Sequence, residues 1–122
     1  MKVLVKAGVI IGEINARLFH VCITVSSVFG DYGVVAVLTC GRDGKHMVGS
    51  LHPKDLAWDF RLWNLPEAVR KEAVDKIRDM LDIRNNDYDV LLESKITTGA
   101  DGKPVKLEWM HIEYQPKIKR EV

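Results

Sequence analysis

The sequence predicts an α+β fold in which two main helices pack on a small, mainly antiparallel sheet. Two segments repeat apolar residues at helical spacing, several short segments are β-branched or alternate between apolar and polar residues, and turn residues separate them. The chain has 122 residues, which is the length of one ordinary domain, and it contains no repeat, low-complexity stretch or linker. We therefore expect a single domain over residues 1–122.

The first half of the chain predicts a strand, a helix and two further strands. Residues 1–5 are typical of a first strand or extended segment. From Ile14, apolar residues follow at steps of four and three, which predicts a helix that ends near Gly30. Residues 34–38 are wholly apolar, as expected for a buried strand, and residues 58–62 alternate as in a half-buried one.

The second half predicts a helix followed by a hairpin. Pro66 suits the first turn of a helix, and Glu67 complements the helix dipole there. The inward stripe of this helix is predicted to contain Val69, Ala73, Ile77 and Met80 or Leu81. Residues 88–93 predict a strand, and Asp101-Gly102 predicts a hairpin turn between residues 95–98 and 105–112.

Composition excludes several classes of function. Lys and Arg number 18 against 17 Asp and Glu, so a formal net charge of +1 gives no field for holding a nucleic-acid backbone. No apolar run approaches the roughly 20 residues that a membrane helix needs. Two cysteines are too few for a disulfide scaffold. We expect a monomer that binds neither nucleic acid nor membrane.

Histidines and acidic residues form the most informative pattern in the chain. His52 lies seven residues before Asp59, and His111 lies three residues after Glu108, near the end of the last predicted strand. Two imidazoles and one carboxylate suffice to hold a catalytic zinc and leave a fourth position for water. The spacing alone is also compatible with a turn histidine and a surface ion pair.

Two motifs in this pattern resemble those of a known family. Residues 50–59 (SLHPKDLAWD) resemble the S-x-H-x-x-G-x-A-x-D motif of the zinc D-Ala-D-Ala carboxypeptidases, and residues 108–111 (EWMH) resemble that family's E-x-W-H or E-W-W-H motif. The family includes vancomycin-resistance D,D-dipeptidases and phage L-alanyl-D-glutamate endopeptidases, and it shares its fold with the hedgehog signalling domain. Residues 38–42 (LTCGR) look like its TSGYR strand end, and DFR and HIEY look like small phage members. The resemblance covers roughly Ile14 to Pro116.

The resemblance implies a role for each matching residue. His52, Asp59 and His111 would bind one Zn²⁺ per chain. Glu108 would be the general base, and Arg42 would stabilise the oxyanion. Ser50 would contact substrate or support the metal ligands. Trp109 is adjacent to these residues, and a role in contacting substrate or supporting the ligands is left open for it.

Three features depart from the family pattern or leave an alternative open. Asp55 replaces the motif glycine, at a position where glycine would serve a turn with positive φ that Asp tolerates better than most residues. Glu108 needs a bend or bulge to share a face with His111, so Glu93 and Glu113 are alternative bases. Cys40 lies near the expected site, but because the family uses no cysteine there we assign it a structural role.

We therefore expect a zinc metallopeptidase that cleaves peptidoglycan stem peptides, as an L-Ala–D-Glu endopeptidase or a D-Ala–D-Ala carboxypeptidase. No signal peptide is apparent, which fits a phage lysin that is made in the cytoplasm and acts at the bacterial cell wall. The rival hypothesis is an inactive, zinc-stabilised binding or structural module of the same fold, such as a phage particle component. A metal-free domain with chance matches is the third alternative.

Overall fold

The computed structural model describes residues 1–12, 15–43, 50–83 and 87–115. Within them the fold is α+β, with two helices on one five-stranded sheet. The elements, in chain order, are β1 (Val3–Val5), α1 (Ala16–Asp31), β2 (Ala36–Cys40), a 3₁₀ turn (His52–Lys54), β3 (Ala57–Arg61), α2 (Glu67–Asp82), β4 (Tyr88–Thr98) and β5 (Pro104–Tyr114).

Both predicted helices are confirmed. The side chain of Asn15 accepts a hydrogen bond from the backbone N–H of Leu18 and so caps the start of α1. In α2 the inward stripe contains Ala73, Ile77 and Leu81, whereas Met80 is exposed. Neither helix is long and apolar enough to cross a membrane in the part of the chain that the structure describes.

The sheet has the strand order β1-β2-β3-β5-β4, and only the β1–β2 pair is parallel. β4 is one strand of 11 residues where the sequence predicted separate segments, because it pairs with β5 without interruption from Tyr88↔Tyr114 to Thr98↔Pro104. Gly102 has φ +78° in the turn that joins them, as the Asp-Gly signal predicts. The mainly antiparallel sheet agrees with expectation, and the match to the hedgehog-type fold remains a proposal.

The hydrophobic core lies between the helices and one face of the sheet. Trp58, Phe60, Met110 and Ile112 alternate along β3 and β5 and are at most 2% exposed. Their sequence neighbours point to the other face, on which Leu91 is 45% exposed. This second face, which the described helices do not cover, carries the polar residues that the sequence singled out.

Candidate metal centre

Three predicted metal ligands come together on the helix-free face of the sheet. Asp59 on β3 lies directly opposite His111 on β5 in the strand register. The Asp59 carboxylate reaches both histidines: Oδ1 lies 2.7 Å from His111 Nδ1, and Oδ2 lies 3.5 Å from His52 Nε2. The two imidazole rings are 5.1 Å apart between centroids. Residues far apart in sequence therefore form one cluster of two imidazoles and a carboxylate.

Local backbone geometry orients His52 toward this cluster. His52 begins the 3₁₀ turn, and its backbone N–H donates to Ser50 Oγ at 3.3 Å. His52 Nδ1 lies 2.9 Å from the carbonyl oxygen of Gly41. Because a carbonyl can only accept, Nδ1 carries a proton and donates it to Gly41, so Nε2, which faces Asp59, is the ring nitrogen left for a metal. This tautomer fits a metal ligand, and Ser50 supports the ligand's backbone.

The charges in the cluster favour an ionised carboxylate. Burial opposes ionisation of Asp59, but hydrogen bonds from His111 and His52 outweigh it and lower the pKa of the carboxyl below its ordinary value. Burial likewise disfavours a charged His111, yet the hydrogen bond and the negative charge of Asp59 raise the pKa of this imidazole. The ionised Asp59 carboxylate therefore attracts the proton of His111. A metal cation bound between these two residues would take the place of that proton.

Cys40 lies beside this cluster, as its place in the sequence indicated, but as a possible ligand rather than in the structural role assigned to it. Ligand atoms of Cys40, His52 and Asp59 all lie within 4.8 Å of one another, a group that could hold a metal ion. Register shifts between Leu38 and Cys40, so Cys40 pairs with Asp59 across a bulge. Burial raises the pKa of the Cys40 thiol to about 12, with Asp59 and Asp43 adding to the shift, so the metal-free residue is a thiol. In the sequence, this role was indicated only by the position of Cys40 after the predicted buried strand and before the 50–59 motif.

Glu108 is not part of the cluster, which corrects the expectation that it shares a face with His111. No bulge interrupts β5 along its pairing with β4, so residues three apart point to opposite faces. The Glu108 carboxylate is 8% exposed and forms an ion pair with Arg70 of α2 at 2.9 Å. Lys106 lies 3.8 Å away from its second oxygen. Glu108 therefore connects β5 to the helix layer.

The two alternative bases both lie beside His111. Glu93 Oε1 is 4.0 Å from His111 Nδ1, the ring nitrogen that faces Asp59. Glu113 Oε1 is 3.5 Å from Nε2, on the opposite edge of the ring. Glu93 and Glu113 therefore lie on opposite edges of the His111 ring. Glu113 can hold the ring through its outer nitrogen, while Glu93 is on the edge that faces the cluster.

Asp55 occupies the turn conformation that the motif glycine would serve. Its φ of 58° and ψ of 31° place it in the left-handed region, and it is the one non-glycine residue with positive φ in the described ranges. Its carboxylate forms an ion pair with Arg42. A Cβ atom at Gly12 would overlap both side chains of this pair, so the N-terminal segment packs closely on it. The predicted oxyanion arginine is thus engaged by the residue that departs from the motif.

A groove adjoins the cluster on the same face of the sheet. It has a volume of about 330 Å³, and Asp59 belongs to its lining. Arg61 and Trp109, opposite each other in the β3–β5 register, also line it, together with Trp63 and Lys6. Trp109, which was expected to contact substrate or support the ligands, therefore forms part of the groove wall.

The chain matches no protein-family model, and comparisons with curated proteins and with solved structures also find no match. The family named above is therefore a resemblance of motifs, and the activity that it implies belongs to the proposal that follows.

Proposed function

We propose that this protein is a zinc-dependent peptidase that hydrolyses a peptide bond in bacterial peptidoglycan stem peptides, as phage lysins do. The observation that carries the proposal is the convergence of His52, Asp59 and His111 beside a groove. A ligand set of two histidines and one carboxylate is the pattern of catalytic zinc sites. The two sequence motifs that contain these residues favour peptidoglycan as the substrate.

His52, Asp59 and His111 would hold the metal. Bound Zn²⁺ supplies Lewis acidity, which polarises a carbonyl group and lowers the pKa of water. The lone pair on His52 Nε2 and the ionised Asp59 carboxylate are donors that zinc accepts, and the Gly41 carbonyl fixes the His52 tautomer.

Glu93 and Glu113 take separate roles in this proposal. Glu93 lies on the edge of His111 that faces Asp59, so it is the carboxylate placed to accept a proton from the attacking water and return it to the leaving amine. Glu113 Oε1 lies 3.5 Å from the outer nitrogen of His111, and in this proposal its charge fixes the orientation of that ring. Glu108 takes no part in the proposed chemistry, because its carboxylate, although it borders the groove, is engaged by Arg70 of α2.

The test is release of peptide ends from purified bacterial cell walls by the zinc-loaded protein. We expect Glu93→Gln to lower turnover by about a hundredfold or more while zinc content stays unchanged, because a general base is not a ligand. Glu108→Gln is the matched control and should retain turnover. If Glu93→Gln cleaves as fast as the parent, Glu93 is not the base; if the parent releases no peptide ends, the proposed peptidase activity is wrong.

A second candidate function is supported by Cys40. Zinc sites closed by four protein ligands are structural, whereas catalytic sites keep one position open. Since Cys40 lies within 4.8 Å of ligand atoms of His52 and Asp59, it could complete a four-ligand site together with His111. The protein would then be a zinc-stabilised binding or structural module without peptidase activity.

Cobalt substitution distinguishes the two candidates. If Cys40 ligates the metal, the Co²⁺-loaded protein shows a sulfur-to-metal charge-transfer band in the near ultraviolet, and Cys40→Ser removes it. Under the peptidase proposal that band is absent, and the visible spectrum is the same in both proteins. Cys22→Ser is the matched control, because this half-buried thiol lies on α1, away from the cluster.

A further inference from the structure

The groove beside the candidate metal centre contains two cations without acidic partners. Among the residues that the structure describes, neither Lys6 nor Arg61 forms an ion pair. The Nε of Arg61 is buried and makes no hydrogen bond within the described part of the chain. A buried donor without an acceptor costs free energy, so such groups in binding grooves favour ligands that supply the acceptor.

One aromatic side chain, that of Trp63, holds Arg61 in position. The guanidinium carbon of Arg61 lies 4.4 Å from the centroid of the Trp63 ring. Trp109 lies opposite Arg61 in the strand register and forms part of the same groove. Stacking restrains the guanidinium plane, and a planar guanidinium matches the geometry of a carboxylate.

The acidic residues of the groove are already engaged. Asp59 bonds to His111, and Glu108 bonds to Arg70. The remaining charge in the groove is therefore positive, at Lys6 and Arg61. A ligand that fits this surface carries a carboxylate next to an apolar or peptide portion, which the two tryptophans would contact.

We propose that Arg61 is a specificity residue that binds a carboxylate of the substrate beside the metal centre, with Lys6 contributing charge. This inference rests on the proposed function and refines it. The substrate is a stem peptide whose glutamyl α-carboxylate is free, and the amidated form of the same peptide is disfavoured. When the amidated peptide fills the groove, it removes water from the Arg61 guanidinium but supplies no carboxylate to accept its hydrogen bonds.

The test uses two probes that differ only in this carboxylate and lack the scissile L-Ala–D-Glu and D-Ala–D-Ala bonds. They are N-acetyl-γ-D-glutamyl-L-lysine and its glutamyl α-amide. Binding is followed by NMR through the indole N–H resonances of the three tryptophans. Trp63 and Trp109 line the groove, whereas Trp58 is 2% exposed in the core and serves as the internal control.

We expect the acid to bind about tenfold more tightly than the amide, as the loss of one charge-assisted hydrogen bond predicts. Both probes should shift the Trp63 and Trp109 resonances and leave that of Trp58 unchanged. Arg61→Met should abolish the preference for the acid. Lys71→Met, which removes an exposed cation on α2, should retain it.

Equal binding of the two probes by the parent, or a preference that survives in Arg61→Met, would overturn the assignment of Arg61. Absence of binding by either probe would overturn it as well. Cleavage of cell walls is measured independently, so peptidase activity without a carboxylate preference contradicts this inference alone. If the protein neither cleaves cell walls nor prefers the acid probe, the proposed function is contradicted as well.

Discussion

At the scale of single residues, Asp55 explains how the chain tolerates a change in the 50–59 motif. The turn after His52 requires a left-handed residue, which glycine adopts freely and Asp adopts at modest cost. The Asp55 carboxylate adds an ion pair with Arg42, and Gly12 packs against that pair. An aspartate at this position therefore meets the requirement of the backbone turn and pairs with the arginine.

Two substitutions of Asp55 should have different effects on stability. Asp55→Gly and Asp55→Ala both remove the ion pair with Arg42, but only alanine must hold a side chain at φ 58°. We expect the alanine variant to have a free energy of unfolding lower than that of the glycine variant by about 1 kcal/mol. Urea denaturation followed by circular dichroism measures the difference.

Lys54, the preceding residue, provides the control for this comparison. It lies inside the 3₁₀ turn and is exposed, so Lys54→Gly should be less stable than Lys54→Ala, the reverse of the order at Asp55. An alanine variant of Asp55 that equals or exceeds the glycine variant in stability would contradict the conformational requirement.

At the scale of elements, successive residues of β5 point to opposite faces of the sheet, and the two sets have different roles. Its inward residues Met110 and Ile112 belong to the core, and Glu108 on the same side joins Arg70 of α2. Its outward residues Trp109, His111 and Glu113 belong to the groove or the cluster. A regular strand thus supplies both a contact with the helix layer and the chemical groups of the candidate site.

The Glu108–Arg70 pair should stabilise the fold rather than act in chemistry. Glu108→Gln is expected to lower the free energy of unfolding by about 1–3 kcal/mol, because it leaves the half-buried Arg70 without its counter-charge. A double-mutant cycle with Arg70→Met measures the coupling energy. The exposed Lys71–Asp75 pair on the same helix is the control and should give a smaller coupling. An equally small coupling for Glu108–Arg70 would contradict this role.

The sequence predicted the elements better than it predicted the site. Apolar spacing located both helices, and alternation over residues 58–62 correctly separated Trp58 and Phe60 from Asp59. Cys40 was expected near the site but not as a possible ligand, because a bulge shifts its register against Asp59, and no residue pattern in β2 marks such a shift. Glu108 was misplaced because the motif implied a bend that the uninterrupted β4–β5 pairing does not contain.

At the scale of the whole molecule, the candidate metal centre and the hydrophobic core lie on opposite faces of the sheet. The core is formed by apolar residues of α1, α2 and the inner sheet face, so we expect it to form without the metal. The proposed metal ligands come from β3, β5 and the 3₁₀ turn, and a bound ion would join these segments.

Removal of metal should therefore lower stability without unfolding the protein. We expect the chelated protein to retain its far-ultraviolet circular dichroism. Its free energy of unfolding should be lower than that of the loaded form by about 3–4 kcal/mol when free zinc is roughly 100 to 1,000 times Kd. Thermal unfolding with and without chelator measures this change. Collapse of the secondary structure on chelation would show that the metal is required for folding.

The central claim is that His52, Asp59 and His111 hold one metal ion, and elemental analysis of the purified, unchelated protein tests it most directly. The account predicts about one zinc per chain, lost in both His52→Ala and His111→Ala and retained in His20→Ala, whose ring stacks on Tyr88 instead. All three variants should keep the circular dichroism of the parent. A protein that binds no metal even when zinc is supplied, or that retains zinc in both ligand variants, would contradict the account.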